Sequence, residues 1–314
     1  MGTFALEEIE TAFAEYRRRG VEQHDWPGWA DLFTEDATYV EHLLGTYHGR
    51  DAIKTWIVDC MEDFPSMSLW IEWWVIDDDG VFFYIWNNLP DPAGGDTRWA
   101  FPNVTYLHYA GDGLWDHEED LYNPADANRV VGEWIKAGGT RELPRDDSLR
   151  GVDGHASDPR EPVHPREEVE REFHVYRARG DAAVASGDWV TWAAQFTEDA
   201  KYNEHHYGRF DGRAEITEWI TGVMQPFPEM EFPLQKVLIE GNRITALIPN
   251  RLPDPKGGDD HHDFLAAVIL HYAGDGQWSY EEDVYNPDEA AAVVGRWLEA
   301  GGQLPDGFEV PGLT

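Results

Sequence analysis

The sequence is poor in cysteine and in positive charge, and it has no long apolar run. One cysteine, Cys60, in 314 residues leaves no partner for an intrachain disulfide and no thiolate set for a metal cluster. Lys and Arg total 24 against 61 Asp and Glu, a formal charge of −37. A surface so acidic repels phosphate backbones and anionic lipid, so neither nucleic acid nor a membrane is an expected partner. The excess reads as a solvated acidic coat. No stretch approaches the ~20 apolar residues that a bilayer-crossing helix needs. The opening MGTFALEEIETAFAEYRRRG has amphipathic helical spacing with early acids, not the basic start and apolar centre of a secretory leader. The expected location is the cytoplasm. No Gly-rich dinucleotide loop or P-loop is present, which weighs against redox and phosphoryl transfer, and no cofactor is expected.

Aromatic residues, by contrast, are abundant: fifteen Trp, thirteen Tyr and fourteen Phe supply ample material for a core. They recur in order because the chain is written twice. Residues 25–139 align without a gap to 188–302 at a constant offset of 163, and roughly half the positions are identical. FTEDATYVEHLLG (33–45) and FTEDAKYNEHHYG (196–208) are one such pair; LPDP, LHYAGDG and YNP are others. Tyr16 and Tyr176 match upstream after a three-residue insertion. The expected organisation is a first domain over 1–139, a Pro-, Gly- and charge-rich linker over 140–165, a second domain over 166–302 and a tail over 303–314.

Each copy repeats one order of elements. Ile9, Phe13 and Tyr16 have helical spacing over 6–19, and Trp26, Trp29 and Phe33 give a short second helix, as do Trp189, Trp192 and Phe196. A brief strand follows at 38–42, then a helix in RDAIKTWIVDCMEDF that ends at Pro65. MSLWIEWWVI and VFFYIWNNL, then FPNVTYLHY and LWDHEEDLY, read as two hairpins, and a last helix spans 124–137. This predicts two α+β modules, each a curved antiparallel sheet with helices on its concave face and a pocket between.

The run DW…W…LFTEDATYVEH…GRDAI…W, with its hairpins and terminal helix, resembles the NTF2-like superfamily and, within it, SnoaL-like domains. The resemblance covers nearly all of each copy and implies two cone-shaped modules. The superfamily contains ketosteroid isomerases, scytalone dehydratase, polyketide cyclases, limonene-type epoxide hydrolases and non-catalytic binding domains, so fold alone selects no activity. In the isomerases an acid near the end of the first strand moves the proton. Counted back from the glycine, its place is His42 and His205; counted forward from the shared Asp-Ala, it is Glu41 and Glu204. The glycine count also recovers the Val-Glu neighbours in copy one and favours histidine. Strand alternation puts Tyr39 and Glu41 on one face and His42 on the other, so one of the two faces the cavity. The isomerases' later-strand acid falls on Thr105 and Val268, which argues against 3-ketosteroid isomerisation.

Other candidates come from the residues themselves. In EED followed by Tyr, alternation sets Glu118, Asp120 and Tyr122 on one face, as it does Glu281, Asp283 and Tyr285. Crowded carboxyls of this kind can hold a proton near neutral pH. The expected proton-transfer set is Glu41, His42, Asp120 and Tyr122, with Glu204, His205, Asp283 and Tyr285. Tyr16, Tyr39, Asn87, Tyr176, Tyr202 and Asn250 are expected to contact substrate. His108 and His271 read first as structural. The DDHHD of 259–263 has no closed zinc spacing, and no metal site is expected. The expectation is a cofactor-free acid–base enzyme, an isomerase, cyclase, dehydratase or epoxide hydrolase, acting on a small apolar polyketide-, terpenoid- or steroid-like metabolite. The alternative is a non-catalytic binding or assembly protein, in which the two copies pack as a pseudo-dimer.

Overall fold

A computed structural model describes residues 2–151, 159 and 161–305. The chain divides into two units, Met1–Ser157 and Asp158–Thr314.

In the first unit α1 (Leu6–Arg17) buries Ile9, Phe13 and Tyr16 and runs on as a π-helical turn over Arg18–Glu22. The carboxylate of Asp25 accepts the Gly28 amide at 3.0 Å and starts α2 (Trp26–Ala30). Then come β1 (Phe33–Glu41), β2 (Gly45–His48), α3 (Arg50–Glu62), β3 (Ser68–Asp77), β4 (Gly80–Leu89), β5 (Trp99–Gly111), β6 (Leu114–Leu121) and α4 (Pro124–Lys136). The second unit repeats the order as α5 (Arg166–Ser186), α6 (Trp189–Ala193), β7 (Phe196–Glu204), β8 (Gly208–Asp211), α7 (Arg213–Met224), β9 (Lys236–Glu240), β10 (Arg243–Pro253), β11 (His261–Gly274), β12 (Gln277–Val284) and α8 (Pro287–Ala300). Asn123 and Asn286 cap the last helices through their side chains, each ahead of a proline that needs no amide partner.

Each sheet has six strands, ordered β2-β1-β6-β5-β4-β3 and β8-β7-β12-β11-β10-β9. The expected antiparallel sheet is in fact mixed, because β1 runs parallel to β6 and β7 parallel to β12. That pairing joins segments about eighty residues apart, which local pattern does not encode. The brief strand expected at 38–42 starts at Phe33, ends at Glu41 and turns into β2, a strand beyond those expected from the pattern. Gly45 and Gly208, which close the duplicated motif, have φ of 123° and 111°, and the tight entry to β2 and β8 needs that freedom.

The helices cover one face of each sheet. Trp29, Phe33, Ile53 and Trp115 anchor the first core, and Trp192, Phe196, Ile216 and Trp278 the second. The two walls differ at one edge. Strand β3 pairs with β4 from Ser68 to Asp77, whereas β9 pairs with β10 only from Lys236 to Glu240. Pro233 stands where the first copy has Trp70 and has no amide for a ladder; Pro249 sits where β10 has run past the end of β9. Glu231 forms an isolated bridge to Arg251 of β10, and Met230 and Phe232 on either side of it line a cavity of the second unit.

Candidate functional site

Alternation along β7 and β12 sends Tyr202, Glu204, Glu281 and Asp283 to the helix side of the second sheet. They meet Tyr176 from α5 and Tyr285 just past β12 around a cavity of about 200 Å³. The remaining wall is apolar: Trp189 and Trp192 of α6, Trp219 and Met224 of α7, Ile248, Ala266 and Val268 of the sheet, and Ala291 and Val294 of α8. Asn250, His206, Tyr207 and Arg177 add polar edges. The volume exceeds the ~150 Å³ that suffices for benzene.

The carboxyls are bound together by phenols. Tyr176 lies 2.7 Å from Oε1 of Glu281, while the hydroxyl oxygen of Tyr202 lies 3.0 Å from the same oxygen and 2.6 Å from Oδ2 of Asp283. Tyr176 donates to Glu281 alone, whereas the single hydroxyl of Tyr202 is shared between the two carboxyls and links them. Burial raises the pKa of Glu281 well above the carboxylate range, and the charge of Asp283 raises it further against the two tyrosines. Burial lifts Asp283 to about 7, opposed by the Tyr202 hydrogen bond and assisted by the charge of Glu204. Oε2 of Glu281 and Oδ1 of Asp283 are buried with no hydrogen-bond partner among the described residues.

Glu204 is bound differently. Its Oε2 accepts the amides of His206 (2.7 Å) and Tyr207, and Tyr285 donates to the same carboxylate. Burial still raises its pKa against those donors. The carboxylate thus caps the β7–β8 turn and lines the cavity at once.

The first unit repeats the frame. Tyr16 donates to Glu118 at 2.8 Å, Tyr39 donates to Oδ2 of Asp120, and Oε2 of Glu41 accepts the amides of Leu43 (2.8 Å) and Leu44. Tyr122 donates to Glu41, and burial next to that charge pushes its phenol up. Burial raises Glu118 well above its usual range, with the Asp120 charge adding to it. Asp120 rises by burial to about 6, held back by Thr105 and Tyr39.

A family model for the SnoaL-like domain matches residues 13–117 and again 176–281, about two thirds of the chain. The chain belongs to the SnoaL-like family. Solved structures similar to it include a protein of ketosteroid isomerase-like fold from Catenulispora acidiphila in complex with trimethylamine (23% identity, 40% of this chain and 92% of that one, TM-score 0.32). Another is an NTF2-like protein from Anabaena variabilis (16% identity, 39% and 92%, TM-score 0.33). A third is an LEH-like epoxide hydrolase from M. tuberculosis (16% identity, 43% and 89%, TM-score 0.33). No curated protein matches the sequence significantly.

Within these SnoaL-like modules the Glu-His pair splits across the sheet. Glu41 and Glu204 take the helix side. His42 and His205 take the other, where Nε2 of His42 lies 3.0 Å from Glu119 and Nε2 of His205 lies 2.6 Å from Glu282. The histidine favoured by the glycine count is therefore turned away from the second module's cavity. Tyr176, Tyr202, Asn250, Glu204, Asp283 and Tyr285 come together on the cavity wall. In the first module Tyr16, Tyr39, Glu41, Asp120 and Tyr122 form the matching network, and Asn87, half-buried, lies on β4 at the position of Asn250. His108 pairs with Asp116 at 2.6 Å, partly exposed. His271 stacks on Tyr280, and burial beside Arg243 holds its pKa near 3. Of the DDHHD run, Asp263 is engaged by Arg251 at 2.9 Å. Glu281 and Glu118, outside the expected proton-transfer set, lie on the inward face with Asp283 and Asp120, where strand alternation puts them. Among the described residues no helix is long and apolar enough to cross a membrane.

Proposed function

We propose that the chain is a cofactor-independent acid–base enzyme of the cytoplasm that acts, in its second module, on a small and largely apolar metabolite. The supporting observation is the Glu281–Asp283 pair, linked by Tyr202 at the wall of an apolar cavity, with one oxygen of each carboxyl buried and without a hydrogen-bond partner among the described residues. A protonated carboxyl there donates to a carbonyl, hydroxyl or epoxide oxygen of the ligand. The partner carboxyl near pH 7 takes or returns a proton during the same step, as isomerisation, cyclisation, dehydration or epoxide opening requires. Low dielectric around the pair strengthens that donation. Tyr176 and Tyr202 orient the pair, and Glu204 with Tyr285 holds the β7–β8 turn against the ligand.

The test is a panel of epoxides, β-hydroxyketones and enones assayed with wild type, Asp283→Asn, Glu281→Gln and Glu204→Gln. Turnover lost by more than a hundredfold in the first two supports the reading. Equal turnover in all four would sink it. A binding-only function draws its support from Glu204 and Glu41, whose carboxylates are already occupied by turn amides. Saturable ligand uptake with no turnover of any panel member, and no effect of Asp283→Asn on uptake, would favour that function.

A further inference from the structure

The duplicated acids are not equivalent. In the first module Thr105 stands directly across the β5–β6 ladder from Asp120 and donates its hydroxyl to Oδ1, while Tyr39 donates to Oδ2. Asn103, two residues along the same face, also reaches Asp120 and donates to Thr105 at 3.5 Å. Both oxygens of Asp120 are thereby satisfied from within the protein. In the second module the same ladder positions carry Val268, directly across from Asp283, and Ala266. Neither side chain has a donor, both line the cavity, and Oδ1 of Asp283 is the oxygen left buried without a partner.

We infer that residues 266 and 268 are positioning residues that decide which module presents its buried acid to a ligand: Ala266 and Val268 leave Oδ1 of Asp283 open to an uncharged ligand oxygen, and Asn103 and Thr105 close Asp120 to one. The cost of an unmet buried polar atom makes this a strong selector. A ligand hydroxyl at Oδ1 of Asp283 donates there as Thr105 donates to Asp120, and a carbonyl, ether or epoxide oxygen accepts from Oδ1 when the carboxyl is protonated. The second module therefore selects a molecule with a carbonyl, hydroxyl, ether or epoxide oxygen set against an otherwise apolar frame. This rests on the proposed reading of the cavity, but its test does not depend on turnover.

The groups facing Asp283 are Tyr202 and Glu204 of β7, Glu281 of its own strand, Tyr176 of α5 and Tyr285 just past β12, with His205 and Glu282 on the far side of the sheet; those facing Asp120 are Tyr39, Glu41, Glu118, Tyr16, Tyr122 and Cys60. Carboxyl titration is followed by infrared difference spectroscopy on the full chain, with bands assigned by Asp283→Asn and Asp120→Asn. Ala266→Asn with Val268→Thr is expected to lower the Asp283 midpoint by about one pH unit, from about 7 toward the value near 6 of Asp120. Asn103→Ala with Thr105→Val is expected to raise the Asp120 midpoint by a similar amount. The reciprocal exchange serves if the first pair fails to fold, and Val268→Thr alone is a milder form of it. Midpoints that stay in place in the exchanges that fold, or move in the opposite sense, overturn the inference. Lost turnover in Asp283→Asn with unmoved exchange midpoints would leave the catalytic reading standing and this one refuted.

Discussion

The hydroxyl of Tyr202 lies 2.6 Å from Oδ2 of Asp283 and ties the acid to the neighbouring strand. That contact favours the ionised carboxylate and opposes the effect of burial. Tyr202→Phe is therefore expected to move the Asp283 midpoint upward from about 7. A hydrogen bond to a charged group is worth about 1.5–3 kcal/mol, so the shift should be about one to two pH units. A pH–rate profile with an unchanged acid limb would refute the assignment.

Asp283 also makes stability depend on pH. Its folded pKa near 7 lies above its unfolded value of about 3.9, so the folded state binds the proton more tightly. The favourable contribution is complete below about pH 4 and is lost as pH rises through 7. Three units correspond to about 4 kcal/mol at most. Asp283→Asn should flatten the fall in melting temperature between pH 4 and 7. A wild-type profile already flat over that window would contradict the raised pKa.

His205 and Glu204 should separate by kinetics. His205→Ala takes one of the partners from Glu282, which is fully buried, and should cost about 1–3 kcal/mol in denaturant unfolding. Per folded molecule, its turnover should stay within a few-fold of wild type. Glu204→Gln withdraws a negative charge beside Asp283 and should lower the Asp283 midpoint, opposite in sign to Tyr202→Phe. A collapse of turnover in His205→Ala with stability intact would restore histidine as the base.

Filling the cavity should block the ligand without touching the acids. Ala291 of α8 is buried on the cavity wall, and Leu in its place occupies part of the 200 Å³. Calorimetric titration with indole as a neutral aromatic probe should show affinity reduced at least about tenfold, near 1.4 kcal/mol. Unchanged indole affinity would place its binding elsewhere.

Much of this was legible in the sequence because it is local. The duplication, the helices with Trp at i and i+3, and the two hairpins per copy follow from spacing alone. Alternation already paired Glu118 with Asp120 and Glu281 with Asp283. The choice between Glu204 and His205 was not legible, because two counting anchors disagreed by one residue, and in a strand one residue reverses the face. The parallel pairing of β7 with β12 resolves it by setting Glu204 beside Asp283 and His205 beyond it.

The sequence by itself determined the repeated SnoaL-like module, its α+β elements and the acidic, aromatic character of each copy, since these depend on residue type and short-range period. The tertiary structure alone decided which carboxyls are brought together and which Asp has both oxygens satisfied. Val268 for Thr105 looks like a mild exchange along the chain, and its consequence exists only because β11 lays it across from Asp283. The pair FTEDATYVEHLLG and FTEDAKYNEHHYG thus holds a turn with its glutamates and the opposite sheet face with its histidines, while the acids with an open oxygen, Asp283 among them, lie on the adjacent strand.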